Sequence, residues 1–251
     1  MSTFLLAVAM VNPWKLVWSD EFNGRGGVDP AKWTYEEGYL RNQEAQYYTK
    51  DRRENARQEN GRLIIEARKD NWEGKPITSA SLTTEGKAAW TYGRIEVRAK
   101  LPKGRGTWPA IWTLGTNIRQ VGWPKCGEID ILENVGFDLD RIHHTVHTEA
   151  YNHTKKTHKA GSWVLPNAAA GFHTYTADWD EKKIVFLVDG VPRFTFENDG
   201  KGDDDTWPFH RPQYLILNLA IGGSWGGQQG IDDALFPAQF EIDYVRVYQR
   251  S

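Results

Sequence analysis

Three acidic residues interrupt an apolar run at Gly127-Glu128-Ile129-Asp130-Ile131-Leu132-Glu133-Asn134. Acids are depleted from strands, so three in so short a segment point to a chemical use. In a regular strand Glu128 and Asp130 share a face, while Glu133, five residues on, points the other way into a core that offers no charged partner. One extra residue, a β-bulge at Ile131 or Leu132, corrects the parity. All three carboxyls then face one open surface and both aliphatic side chains stay buried. The glutamates become about four strand steps apart, roughly 13 Å between Cα atoms. Inward-leaning side chains of about 4 Å reach narrow this to the ~5 Å that suits a retaining glycosidase, with Glu128 as nucleophile and Glu133 as general acid and base. Three carboxyls so close do not all ionise at neutral pH. One proton stays in the group, best placed on Glu133, while Asp130 tunes and holds the nucleophile. The spacing leaves open two other readings: an acidic strand face pairing with Arg94 and Arg98, and a calcium site built from the same oxygens.

The elements that must position these groups read as strands. Leu63–Ala67, Tyr92–Lys100, Ile129–Leu132, Thr145–Thr148, Ile184–Val188, Tyr214–Ala220 and Phe240–Tyr248 are short and rich in β-branched or aromatic residues. Asn60-Gly61, Lys103-Gly104, Asp189-Gly190 and Gly222-Gly223 punctuate them as hairpin turns or loops, and Lys182–Phe194 is the clearest hairpin. Helical periodicity is confined to a turn near Asp29–Trp33. The pattern predicts an all-β fold, a sandwich of two antiparallel sheets. Tyr92–Lys100 alternates strictly, with Ile95, Val97 and Ala99 on the core face and Arg94, Glu96 and Arg98 opposite, either as a solvated surface or as part of a site. His143 and His147 share a strand face that His144 opposes, which leaves a zinc reading without a third ligand. The glycine-rich run Gly222–Gly230 lacks a phosphate-loop ending and opens no helix, so it reads as a loop at a cleft rim.

Bulk properties narrow the class. A chain of 251 residues is compatible with one domain spanning 1–251. Thirty-one basic residues nearly cancel thirty-three acidic ones, with no basic cluster, so neither nucleic acid nor an anionic membrane surface is an expected partner. The single cysteine, Cys126, forms no internal disulfide and has no neighbouring base. The apolar stretch 4–11 lacks a basic flank and is short for a signal sequence, so residues 1–11 read as a leader remnant or an extension.

The string Glu-Ile-Asp-Ile-Leu-Glu resembles the signature of glycoside hydrolase family 16 in the bulged form of laminarinases and agarases; lichenases usually have one residue fewer. The likeness continues through Trp18-Ser-Asp-Glu21-Phe-Asn, Asn42–Tyr48, Tyr92–Arg98, Trp108-Pro-Ala-Ile-Trp112 and Phe240–Tyr248. It implies a β-jelly-roll sandwich with a concave substrate cleft and retaining endo-hydrolysis of internal β-1,3-glycosidic bonds in glucans such as laminarin. Agarase, carrageenase, mixed-linkage glucanase and a non-catalytic glucan-binding protein are the alternatives, although the last would have no need of the acids kept here. By position it implies Glu128 as nucleophile, Asp130 as its assistant and Glu133 as acid/base. Asn42 and Arg94 would hydrogen-bond sugar, Trp112 and Trp123 would line the cleft, and His147 would stand beside the nucleophile; Trp108 and Trp225 fit core equally well. It further implies a structural calcium held by Glu21, the Gly61 carbonyl and Asp243, and no cofactor for catalysis. The expected partner is polysaccharide alone, the expected state a monomer and the expected location extracellular.

Overall fold

The computed structural model describes residues 14–250, so the expectation for residues 1–11 lies outside the described residues. Two antiparallel sheets face each other. One runs, in spatial order, Val191–Glu197, Lys183–Val188, His173–Trp179, Gly93–Lys100, Ala238–Arg250, Arg62–Ala67 and Ala56–Glu59, with Trp14–Asp20 also paired to Ala238–Arg250. The other runs Lys159–Val164, Arg141–His147, Glu128–Glu133, Thr107–Gly115, Gln213–Ile221, Ser81–Thr83 and Thr34–Glu36. The expected sandwich is therefore present. Between the sheets lies one core, to which the first contributes Ile65, Val97, Tyr175, Phe186 and Val245 and the second Ile111, Ile129, Leu132 and Leu217.

Local sequence explains the hairpins. Asn60-Gly61 and Asp189-Gly190 both have positive φ at each residue (54° and 72°, 50° and 75°), the backbone that a two-residue turn between right-twisted strands requires. Their strands pair from the flanking residues, Glu59 with Arg62 and Val188 with Val191. The glycine-rich run departs from expectation, because Gly223–Gly226 forms a single helical turn before the loop continues.

Gly93–Lys100 alternates buried and partly exposed residues along its length. Its charged face looks outward from the first sheet, where Arg94 pairs with Asp178 at 2.6 Å, Arg98 with Asp243 and Lys100 with Glu241 at 3.0 Å. Thr107–Gly115, in contrast, was not marked by strand alternation and is buried at all nine positions, as is its neighbour Gln213–Ile221. Ile111 faces the inter-sheet core, whereas Ala110, Trp112 and Leu114 form a second apolar cluster with Tyr214 and Ile216 on the other face. With both faces covered, the polar half of the period-two pattern is lost.

Gly115 ends this central strand where the chain leaves no room for a side chain: a Cβ would lie 2.1 Å from the Cys126 carbonyl oxygen. Gly115→Ala forces two backbones apart and should cost about 1–3 kcal/mol, lowering the melting temperature by about 2–12 °C. Gly171, with nothing within 4 Å of the same position, is the control; Gly171→Ala should leave the calorimetric transition unchanged.

Candidate active site

The second sheet carries the three acids. Against Thr107–Gly115, Asp130 pairs with Trp112 and Leu132 with Ile111, so Ile131 is the additional residue. Against Arg141–His147, Asp130 pairs with Thr145 and Glu133 with His143, so Ile131 and Leu132 together oppose His144. This is a β-bulge at the expected residues. Glu128 stands opposite Leu114 and Glu133 opposite Ala110, four residues apart on the neighbouring strand although five apart on their own. Ile131 and Leu132 are both wholly buried. A bulge leaves ladder groups unpaired, and here the Ile131 carbonyl accepts a hydrogen bond from His144 Nδ1 at 2.8 Å. His144 lies in the core, stacked on Phe186, and burial lowers its pKa to about 4, so the ring is neutral with its proton on Nδ1. That supporting role had no sequence signal beyond a histidine on the inward face.

On the outward face a cleft of about 450 Å³ is lined by Glu128, Asp130 and Glu133 together with Arg41, Asn42, Trp108, Trp112, Trp123 and His153. Trp123 Nε1 donates to Glu128 at 2.7 Å, and Trp108 Nε1 donates to Glu133 at 3.0 Å. Trp112 lies between them and donates to Asn218 at 2.7 Å; Asn218 donates to the Tyr48 hydroxyl, which donates to Glu44. Asn42 also donates to Glu44, at 3.3 Å, and is in the left-handed region with Gln43 (φ 53° and 54°). Such backbone is costly for residues other than glycine and often accompanies a binding loop. The Asn42 carbonyl accepts from Ser224, tying this loop to the glycine-rich rim. His147 Nε2 lies 3.5 Å from Asp130 and 3.8 Å from Glu128.

Asn42, Trp112, Trp123, His147 and the three acids thus come together. Arg94 does not: its strand belongs to the opposite sheet, and its guanidinium is held outward by Asp178. The cleft arginine is instead Arg41, 4.8 Å above the Trp112 ring and paired with Glu36. Arg41 carries no sequence signal, because it lies in a loop with no periodicity, although Asn42 is its neighbour. Trp108 is a cleft residue through its bond to Glu133, and Trp225 supports it edge-on at 5.5 Å. His143 meets Trp225 edge-on at 4.8 Å, so the three strand histidines do not converge on a metal. Glu21, Gly61 and Asp243 are brought to one end of the first sheet by the registers Asp20 with Val245 and Leu63 with Ile242. There Arg246 grips the Glu21 carboxylate through two hydrogen bonds, and Arg98 binds Asp243.

Glu128 keeps 15% of its side chain accessible, yet its carboxyl is packed tightly enough to lose most of its hydration. Burial raises Glu128 to about 7, opposed by its hydrogen bonds from Trp123 and Asp130. Burial and then the Glu128 charge raise Glu133 to about 8. Asp130 is pushed well above the carboxylate range by burial and by both glutamates, so it stays protonated and shares its hydrogen bond with Glu128. Among the described residues none of the three pairs with Lys or Arg. Glu128 therefore ionises first, leaving protons on Asp130 and Glu133, one more than the sequence reading assigned. Burial lowers His147 to about 3, which keeps it neutral. A reaction that needs Glu128 ionised and Glu133 protonated should give a bell-shaped pH profile of kcat/KM. Both limbs should fall above the ordinary carboxylate value of 4.5, the alkaline one near 8. Measured profiles with an acid limb below 4 would overturn the ordering of the carboxyls.

Comparison with known proteins agrees with this geometry. The sequence profile of glycosyl hydrolases family 16 matches residues 43–246. A β-glucanase from Rhodothermus marinus is 52% identical over 244 residues, 94% of this chain and 85% of that protein. The crystal structure of the laminarinase from Rhodothermus marinus superposes with a TM-score of 0.91 over 95% of this chain and 98% of that one, at 52% identity. A non-specific endo-β-1,3(4)-glucanase superposes with a TM-score of 0.92 over 97% of this chain and 94% of its own, at 49% identity. Two-sheet architecture, bulged acidic strand and profile match agree: the chain is a β-jelly-roll member of glycosyl hydrolase family 16.

Proposed function

We propose that the protein hydrolyses internal β-1,3 bonds of glucans such as laminarin with retention of configuration. The observation that carries this reading is the bulged strand, which puts Glu128 and Glu133 on one cleft face, each held by a tryptophan N–H. Glu128 attacks the anomeric carbon and forms a glycosyl-enzyme, while Glu133 gives its proton to the leaving oxygen. Once Glu128 is esterified its charge is gone, and with it the repulsion that helps keep Glu133 protonated. Glu133 can then stay ionised and take a proton from the incoming water. Asp130 donates to Glu128 and, with the Trp123 indole, holds its carboxylate in place for attack. Trp112 and Arg41 form a flat, partly apolar wall suited to the C–H face of a neutral sugar. No cofactor takes part. The likeness to a non-specific endo-β-1,3(4)-glucanase supports a second reading in which mixed-linkage glucan is also cut. A polymeric substrate too large to cross a membrane supports action outside the cell, by a chain proposed to be monomeric.

The proposed structural calcium has mixed support. Oxygen donors suit the ion and the three positions share one sheet end, but each carboxylate already has a guanidinium, so calcium would have to displace Arg246 and Arg98. With calcium resident, excess chelator should lower the melting temperature by several degrees; an unchanged transition would assign the charge balance to the arginines alone.

Digestion of laminarin and lichenan in parallel, with agarose as control, should release β-anomeric oligosaccharides first from laminarin, read by anomeric proton NMR and product size. Equal early rates on lichenan would favour the broader specificity, and cleavage of agarose alone would move the substrate. Glu128→Ala and Glu133→Ala should each lower kcat by about 10³-fold or more. With azide and a substrate bearing a good leaving group, only Glu133→Ala should recover with retained configuration; recovery of Glu128→Ala in that form would reverse the two roles.

A further inference from the structure

Two of the catalytic carboxyls share their part of the cleft with a buried imidazole. Glu128, Asp130 and His147 each present one donor atom, and the three atoms lie within 4.8 Å of one another. His147 Nε2 is 3.5 Å from Asp130 Oδ2 and 3.8 Å from Glu128 Oε1. For bonds of about 2.0–2.2 Å to zinc, tetrahedral donors are about 3.3–3.6 Å apart, so the two distances to His147 already nearly fit, and rotation of the carboxyls by up to about an ångström would close the Glu128–Asp130 edge. Two of the donors are deeply buried, Asp130 3% exposed and His147 6%. Asp130 Oδ2 has no hydrogen-bond partner, and neither does the other nitrogen of the same imidazole, His147 Nδ1. A buried oxygen left unpaired and aimed at an imidazole nitrogen is an incomplete polar cluster that a cation would complete.

Around this triad stand two more imidazoles. The His153 ring is 5.2 Å and the His158 ring 5.9 Å from that of His147, and His153 also packs on Trp123 at 5.0 Å. Both histidines are exposed and belong to the connection after the Arg141–His147 strand. Either could turn toward an ion held by the triad, while the open cleft supplies water for a remaining position. Nitrogen donors select against calcium and magnesium and for zinc, cobalt, nickel and copper.

The geometry points to a zinc-class divalent cation site made of Glu128, Asp130 and His147, at which the ion reversibly inhibits the enzyme. A cation there takes the carboxylate oxygens that the glycosyl group needs and occupies the space of the sugar beside Glu128. Binding of the ion is independent of the proposed reaction; the inhibition rests on Glu128 being the nucleophile.

Zinc titrated calorimetrically into the intact protein, with calcium present to occupy oxygen-only sites, should bind at one ion per chain. Laminarin hydrolysis should fall in step with occupancy and return on chelation. His147→Gln, checked for native circular dichroism, should weaken zinc at least about tenfold whatever its own activity. A gluco-oligosaccharide filling the cleft of the unmodified protein should weaken zinc as well, which tests the location without a mutation. Zinc affinity unchanged by both the substitution and the oligosaccharide would overturn the site. Zinc binding lost in His147→Gln, with hydrolysis by the unmodified protein unaffected at full occupancy, would keep the site and overturn the inhibition and the role given to Glu128.

Discussion

The active face depends on a conflict of parity in the Glu128–Glu133 strand. Side chains alternate, so a regular strand with Glu128 and Asp130 in the cleft must send Glu133 inward and Leu132 outward. Burying Leu132, which the regular strand would expose, is worth about 1.5–3 kcal/mol, and an unpaired carboxylate driven into the core costs several kcal/mol. A bulge forfeits about one ladder hydrogen bond, about 1 kcal/mol net, and His144 recovers part of that by donating to the Ile131 carbonyl. The irregular strand wins on balance. Its neighbours then carry the consequences: Leu114, Trp112 and Ala110 line up beneath the acids, and the indoles of Trp108 and Trp123 reach the two glutamates from either end.

Much of this was legible in the sequence because the signal was a violation. Acids placed against both parity and burial demand an explanation, and the bulge was the only local one. The Asn-Gly and Asp-Gly hairpins were legible for a related reason, since their turns need backbone few other residues accept. Alternation was less informative about location. It separates Ile95, Val97 and Ala99 from Arg94, Glu96 and Arg98, yet it does not say whether the polar face belongs to the sheet with the cleft or to the sheet opposite. Only the partners decide that, and Asp178, 84 residues away, holds Arg94 on the outside. Arg41 and Glu44 act in the cleft from a loop, where no period marks them. Thr107–Gly115 was hidden by its own importance to the site, because a strand covered on both faces shows no polar half.

The two sides of the sandwich treat carboxylates in opposite ways. On the outer sheet, acids stand beside guanidinium or ammonium groups, and their pKa values fall: Glu21 with Arg246, and Glu241 with Lys100 and Arg62. In the cleft, Glu128 and Glu133 are buried to a similar or greater degree, but their donors are indole N–H groups, and their values rise. An indole has no charge, so it orients a carboxyl without forcing it to ionise. Arginine at the Trp108 position would fix Glu133 equally well and would also strip the proton that an acid catalyst must keep. The same reasoning accounts for the distance of Arg41, which is near enough to lower Glu128 slightly and stacks on Trp112 rather than pairing with an acid of the catalytic strand. Leaving cations out of contact with the three carboxyls preserves the two protons and the single charge on which acid/base exchange depends. It also leaves Asp130 Oδ2 unsatisfied beside a neutral imidazole. An arrangement that keeps protonated carboxyls ready for catalysis is, by the same geometry, a set of donors from which a metal ion can displace the proton.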